Sequence, residues 1–104
     1  MFTVPEKTRH HVYEQVKRVP KGMVTTYKQI SLATGISPRV VGNALHLNDD
    51  PTVPCHRVVN VIGRIAPSFG LGGPAEQRKR LELEGVSFKD EAHVNLERHL
   101  FRLD

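Results

Sequence analysis

A chain of 104 residues, 38% of them hydrophobic, can bury one modest core and is too short for two ordinary domains. No stretch approaches the roughly 20 apolar residues of a membrane span, and the start MFTVPEKTRHH carries no apolar run behind a basic segment; the expectation is therefore a protein of the cytoplasm, or of the nucleus in a eukaryote, with no membrane partner. Fifteen Lys and Arg against eleven Asp and Glu leave a net charge of +4, a balance that suits a polyanion such as nucleic acid, and a single cysteine excludes an internal disulfide.

Val12, Tyr13, Val16 and Val19 recur at helical spacing, which predicts an amphipathic helix over Pro5–Val19 stopped by the turn at Pro20–Gly22. The β-branched MVTTY reads as a short strand or extended entry into a second helix, Tyr27 to Ala33, ended by Gly35. Ser37 is an N-cap and Pro38 the first residue of a third helix running to about Leu47, with Val41, Ala44 and Leu45 on one face. Two short helices joined by a tight glycine-containing turn predict a helix-turn-helix. DDPTVP is then a loop leading to Cys55, and RVVNVIGRIA reads as two short strands around a turn at Asn60–Gly63. After the glycine-rich PSFGLGG comes a helix from Pro74 through Glu84, ended by Gly85, and VSF and HVNL add extended pieces. The order is mixed α/β and mainly helical, with the helix pair just ahead of the cysteine loop.

With no disulfide to make, Cys55 is present for packing or for reactivity. A thiol reacts as its thiolate and needs a base or a positive neighbourhood, and His56 and Arg57 follow it directly. Neighbouring side chains on a regular strand face opposite ways, so Cys55 and His56 cooperate only if Pro54 turns the chain or a water bridges them. A histidine acting as base is usually oriented by a third group, and a carboxylate at a helix end, such as Glu84, is of the required type. A buried cysteine with an incidental histidine is the alternative reading. Gly42 and Ala44 make a small-residue helix face, suited to lie against a groove or to let two helices pack. His10, His11, His46, His93 and His99 form no cluster with metal-ligand spacing and are read as solvent-facing or packing residues; Arg78–Arg80 is a solvated helix face.

Tyr27, PRVVGNALHLN, PCHRVV and LEGV, in that order, resemble the active-site domain of 6-O-alkylguanine-DNA alkyltransferases and the related alkyltransferase-like proteins, from about residue 6 to residue 88. The resemblance implies a winged-helix-like single domain over residues 1–104. It also implies a monomer that binds duplex DNA, flips out 6-O-methylguanine and moves the alkyl group irreversibly to itself. On the matching positions it makes Cys55 the alkyl acceptor, His56 the residue that takes its proton through water, and Glu84 the carboxylate that orients the histidine. Asn48 becomes the link between helix pair and cysteine, and Arg39 the residue filling the space of the flipped nucleotide. Tyr27 would crowd a phosphate and hydrogen-bond the guanine, the Val58 carbonyl would meet the exocyclic amine, and the helix bearing Gly42 and Ala44 would face DNA. No metal or organic cofactor is implied.

The sequence departs from the family where an aromatic and a hydroxyl residue usually precede the double glycine Gly72-Gly73: Gly70 and Leu71 stand there, with Ser68 and Phe69 displaced toward the N-terminus. The loop from Asn48 to Cys55 is one residue shorter than in the longer repair enzymes. Two functions follow, a single-turnover methyltransferase and a non-enzymatic sensor that holds the lesion for nucleotide excision repair proteins. A helix-turn-helix regulator unrelated to damage would make Cys55 dispensable and would prefer a base sequence.

Overall fold

Helix α1 (Glu6–Val16) forms where Val12 and Val16, one turn apart, can both be withdrawn from water on one side of a charged segment. In this computed structural model, which describes residues 3–67, 69–70 and 72–104, α1 ends at Val16 and the chain reaches a still-buried Val19 through turns. Strand β1 (Thr25–Thr26) runs straight into α2 (Tyr27–Thr34), because the Thr26 side chain leaves the strand by accepting from the Gln29 N–H at 3.1 Å. Gly35, at φ 76°, ends α2 in the left-handed region that favours glycine, and two residues later Ser37 caps α3 (Pro38–His46). The predicted helix pair is therefore present, packed on α1 around Ile30, Val41 and Ala44.

A short 3-10 turn (Cys55–Arg57) leads into strand β2 (Val58–Val59). The expected hairpin around Asn60–Gly63 does not form. Gly63 N–H does close a turn on the Asn60 carbonyl, but β2 pairs in parallel with β1, Thr25 opposite Val58 and Thr26 opposite Val59. The residues after the turn pair elsewhere, Arg64 bridging His93. Burial explains the choice: Val58 is 1% and Val59 0% exposed, so β2 has no solvated face and must be covered on both sides, the usual state of parallel strands. Successive side chains point to opposite faces. Val58 thus joins the core of α1, α2 and α3, and Val59 joins a second core with Val24, Ile65, Leu81, Val86 and Val94. Strand β2 is the wall between the two.

Helix α4 (Gly73–Leu83) stops with Glu84 as its C-terminal cap and Gly85 at φ 90°. VSF and HVNL do supply extended pieces, and they pair with each other through Phe88 and Val94. The turn residue Gly63 lies so close to this hairpin that a Cβ would come within 2.7 Å of the Val94 carbonyl oxygen. Leu96, expected to be extended, instead opens the four-residue helix α5 (Leu96–His99). Its buried His99 accepts from the Ser87 N–H through Nε2 and donates to the Gly22 carbonyl through Nδ1, both at 3.0 Å. The whole is a helix-turn-helix backed by short strands, a winged-helix-like fold.

Candidate functional site

Pro54 makes the site possible. At φ −79° and ψ 64° it is the centre of an inverse γ-turn in which the Cys55 N–H reaches back to the Val53 carbonyl at 2.8 Å, and the 3-10 turn follows at once. The strand geometry that would have sent Cys55 and His56 to opposite faces is thereby avoided. The half-buried Cys55 has its Sγ 3.7 Å from Nδ2 of Asn48, which can donate to it. Asn48 is itself held by the loop, its Oδ1 accepting from the Asp50 N–H at 3.0 Å and its Nδ2 donating to the Asp50 carbonyl at 3.2 Å.

His56 places Nε2 3.0 Å from Oε2 of Glu84. Arg57 grips the same carboxylate with two donors, Nε to Oε1 at 2.9 Å and Nη2 to Oε2 at 2.7 Å, while its Nη1 donates to the Val19 carbonyl. Burial alone would raise the Glu84 pKa, but the hydrogen bonds from Arg57 and His56 outweigh it and hold the carboxyl below its ordinary range. Burial first, then the Arg57 and Arg80 charges, lower the His56 pKa against the opposing pull of Glu84, so the imidazole is mostly neutral at pH 7. Facing an ionised carboxylate, Nε2 is assigned the single proton, which leaves Nδ1 with a free lone pair. No hydrogen bond joins Sγ to the imidazole among the described residues. Both side chains line one cleft, with Asn48, Asp50, Val53 and Arg80.

On its other side Cys55 lines a cavity of about 110 Å³ together with Tyr27, Gly42, His46, Asn48, Val58, Phe69, Gly70 and Gln77. Burial, and then the nearby Cys55, raise the Tyr27 pKa, so its hydroxyl keeps its proton. Gln77 is 0% exposed; its Oε1 accepts from the Ala66 N–H at 2.7 Å and its Nε2 donates to the carbonyls of His56 and Val58, each at 3.1 Å. Phe69, displaced in sequence from the family's aromatic position, is nevertheless buried in the cavity wall, with the Arg80 guanidinium 5.6 Å from its ring centroid. Gly70 lines the cavity, whereas Ser68 and Leu71 lie outside the described residues.

Beside this cavity an open groove runs along α3, lined by Tyr27, Pro38, Arg39, Gly42, Asn43 and His46. Arg39 is exposed at its edge. Ala44 is not part of this face. It is 0% exposed and sits in the core, where its carbonyl accepts from the Tyr13 hydroxyl; a 100° step per residue carries position 44 away from the side that shows 39, 42, 43 and 46. The run Arg78–Arg80 is less free than a solvated face: Arg78 stacks 4.3 Å from the Phe88 ring centroid and Arg80 pairs with Glu76.

Reading the sequence missed Gln77, His46 and the clamp made by Arg57. Gln77 had a detectable signal, since it lies four residues before buried Leu81 and seven before Glu84, on the inner face of α4. Nothing in the local sequence distinguishes His46 from an ordinary exposed histidine. Among the described residues no group of three or more His, Cys, Asp or Glu could hold a metal, and no helix is long and apolar enough to cross a membrane.

Residues 7–86 match the family model described as 6-O-methylguanine DNA methyltransferase, DNA binding domain. A methylated-DNA–protein-cysteine methyltransferase of Metallosphaera sedula is 45% identical over 86 residues, 78% of this chain and 51% of that protein. S. pombe Atl1, crystallised with damaged DNA containing O6-carboxymethylguanine, superposes with a TM-score of 0.80 at 32% identity, over 96% of this chain and 99% of that one. Mycobacterium tuberculosis OGT in complex with DNA gives a TM-score of 0.69 at 30% identity, over 80% and 51%. The chain spans about half the length of the curated relatives it matches.

Proposed function

Because the chain belongs to the family of 6-O-methylguanine DNA methyltransferase DNA-binding domains, we propose that it binds duplex DNA, extrudes a 6-O-alkylguanine and transfers the alkyl group to Sγ of Cys55. A single observation carries this reading: the thiol lies between a cavity that adjoins the α3 groove and a cleft shared with a neutral, carboxylate-oriented histidine. A stacked base hides its 6-O-alkyl group, so the nucleotide must leave the helix, at a cost of a few kcal/mol. Gly42 lets α3 approach the groove closely, and Arg39 enters the space left behind. In the cavity the second lone pair of the Val58 carbonyl meets the exocyclic amine.

The thiol proton passes through a water in the cleft to Nδ1 of His56, whose Nε2–H stays on Glu84. Asn48 donates to the sulfur and orients it. The thiolate attacks the alkyl carbon, the carbon–oxygen bond breaks, and its electron pair stays with the purine, which takes up a proton to become guanine. The Tyr27 hydroxyl stabilises that developing charge. The thioether has no easy hydrolysis route, so each molecule acts once. The reaction runs in a single domain, as a monomer, in the cytoplasm or nucleus, and asks for no cofactor.

The superposition over nearly the full length of Atl1 favours a second reading, in which the lesion is held without transfer and passed to nucleotide excision repair proteins. Incubation with duplex containing 6-O-methylguanine, followed by peptide mass spectrometry, separates the two. Transfer adds one methyl to the Cys55 peptide. Tight, lesion-selective binding with no added mass selects the second reading, and neither binding nor mass gain rejects both.

A further inference from the structure

The amide of Gln77 is fully buried in α4, where an aliphatic residue would complete the face begun by Leu81. A polar group is tolerated at such a place only when its bonds are satisfied, and all those of Gln77 are used on backbone: Ala66 N–H on one side, the His56 and Val58 carbonyls on the other. These partners also settle which end of the amide is nitrogen, since two carbonyls require a donor and an N–H requires an acceptor. Helix α4 therefore holds the cysteine turn twice, through Gln77 on its backbone and through Glu84 on the imidazole.

The bond to Val58 has a chemical consequence. A carbonyl oxygen has two lone pairs; with one taken by Gln77, the peptide plane is fixed and the other is aimed. On the reading proposed above, that second lone pair meets the exocyclic amine of the extruded base. We propose that Gln77 is a positioning residue for purine discrimination: it orients the Val58 carbonyl so that the cavity selects a 6-O-alkylguanine over a 6-O-alkylhypoxanthine, which lacks the amine.

The experiment compares single-turnover transfer to duplexes carrying 6-O-methylguanine or 6-O-methylhypoxanthine, using the wild-type chain, Gln77→Met and Gln77→Lys. Equilibrium binding serves as the readout if no methyl is transferred. The wild type prefers the guanine lesion. Gln77→Met, similar in shape but without donors, loses about tenfold more on the guanine lesion than on hypoxanthine, the order of one hydrogen bond, beyond any loss of the Ala66 bond that lowers both, so the ratio collapses. Gln77→Lys keeps a donor toward the two carbonyls and restores the ratio, even where loss of the Ala66 bond lowers both rates. Equal losses on both lesions in Gln77→Met, a collapsed ratio in Gln77→Lys, or a wild type that does not discriminate would each overturn the assignment. Thermal melts run alongside identify a variant that fails to fold, in which case the ratio in the other decides. A wild type that neither binds nor repairs either lesion rejects the parent reading instead.

Discussion

Glu84 holds His56 and Arg57 at once: Oε2 lies 3.0 Å from Nε2 of the imidazole and 2.7 Å from Nη2 of the guanidinium. One carboxylate thus sets the tautomer of the base and neutralises its cationic neighbour. Because the His56 pKa lies below its ordinary value of 6.5, lowered by burial against the opposing pull of Glu84, the base stays unprotonated as pH falls past neutrality. The acidic inflection of the single-turnover rate should therefore lie below pH 6.5. A rate profile measured from pH 5 to 9 tests this, and an acidic inflection above 6.5 contradicts it.

Glu84→Gln should cost about 3 kcal/mol of stability near neutral pH, since it leaves Arg57 without its counter-charge in a site where both side chains are largely buried. The sign with pH follows from the depressed carboxyl. Its contribution is complete above the ordinary value of 4.5 and is lost as pH falls through the lower folded value. Denaturant titrations should accordingly show the gap between variant and parent narrowing in acid, whereas a constant gap would mean that the ion pair contributes nothing.

Arg39→Ala should weaken binding to a damaged duplex far more than to a short single strand, where no base stack has to be refilled. Fluorescence anisotropy on both measures it. Equal losses would reduce Arg39 to a phosphate contact.

Tyr27→Phe removes a protonated hydroxyl from the cavity while keeping the ring. Transfer should slow by about 100-fold, the effect of deleting one donor to a developing oxyanion, with lesion binding changed only a few-fold. Rates and affinities that fall together would place the hydroxyl in binding alone.

His99→Leu should lower stability by about 2 kcal/mol, because the half-buried Ser87 N–H and Gly22 carbonyl both lose their partner. Chemical denaturation is the measurement, and an unchanged midpoint would mean that water replaces the imidazole without cost.

The elements legible in advance were those with local causes. Ser37 with Pro38, the glycines at 35 and 85, and the valine spacing in α1 each act within a few residues, and each appears where expected to within a turn. The hairpin was misread because VVNVIGRI carries the turn signal but not the partner. Val58 and Val59 pair with Thr25 and Thr26, more than thirty residues earlier, and only the burial of both faces reveals it. Ala44 was misplaced for a related reason: a small residue on a short helix suits either a core or a groove, and only rotation against α1 decides. At the site, the Cys55–Asn48 and His56–Glu84 approaches were expected from residue types and resemblance. The spacing to Leu81 puts Gln77 on the inner face of α4, but its bridge to Ala66, His56 and Val58 depends on α4 docking beside β2, which no local pattern announces.

Three residues per revolution is the pitch of a 3-10 helix, so consecutive side chains depart about 120° apart. In Cys55, His56 and Arg57 that pitch separates three adjacent side chains: sulfur to the cavity, imidazole to the Glu84 carboxylate that caps α4, guanidinium across that carboxylate and back to Val19. Adding or deleting one residue there would not loosen the arrangement but reassign it, delivering each functional group to its neighbour's destination.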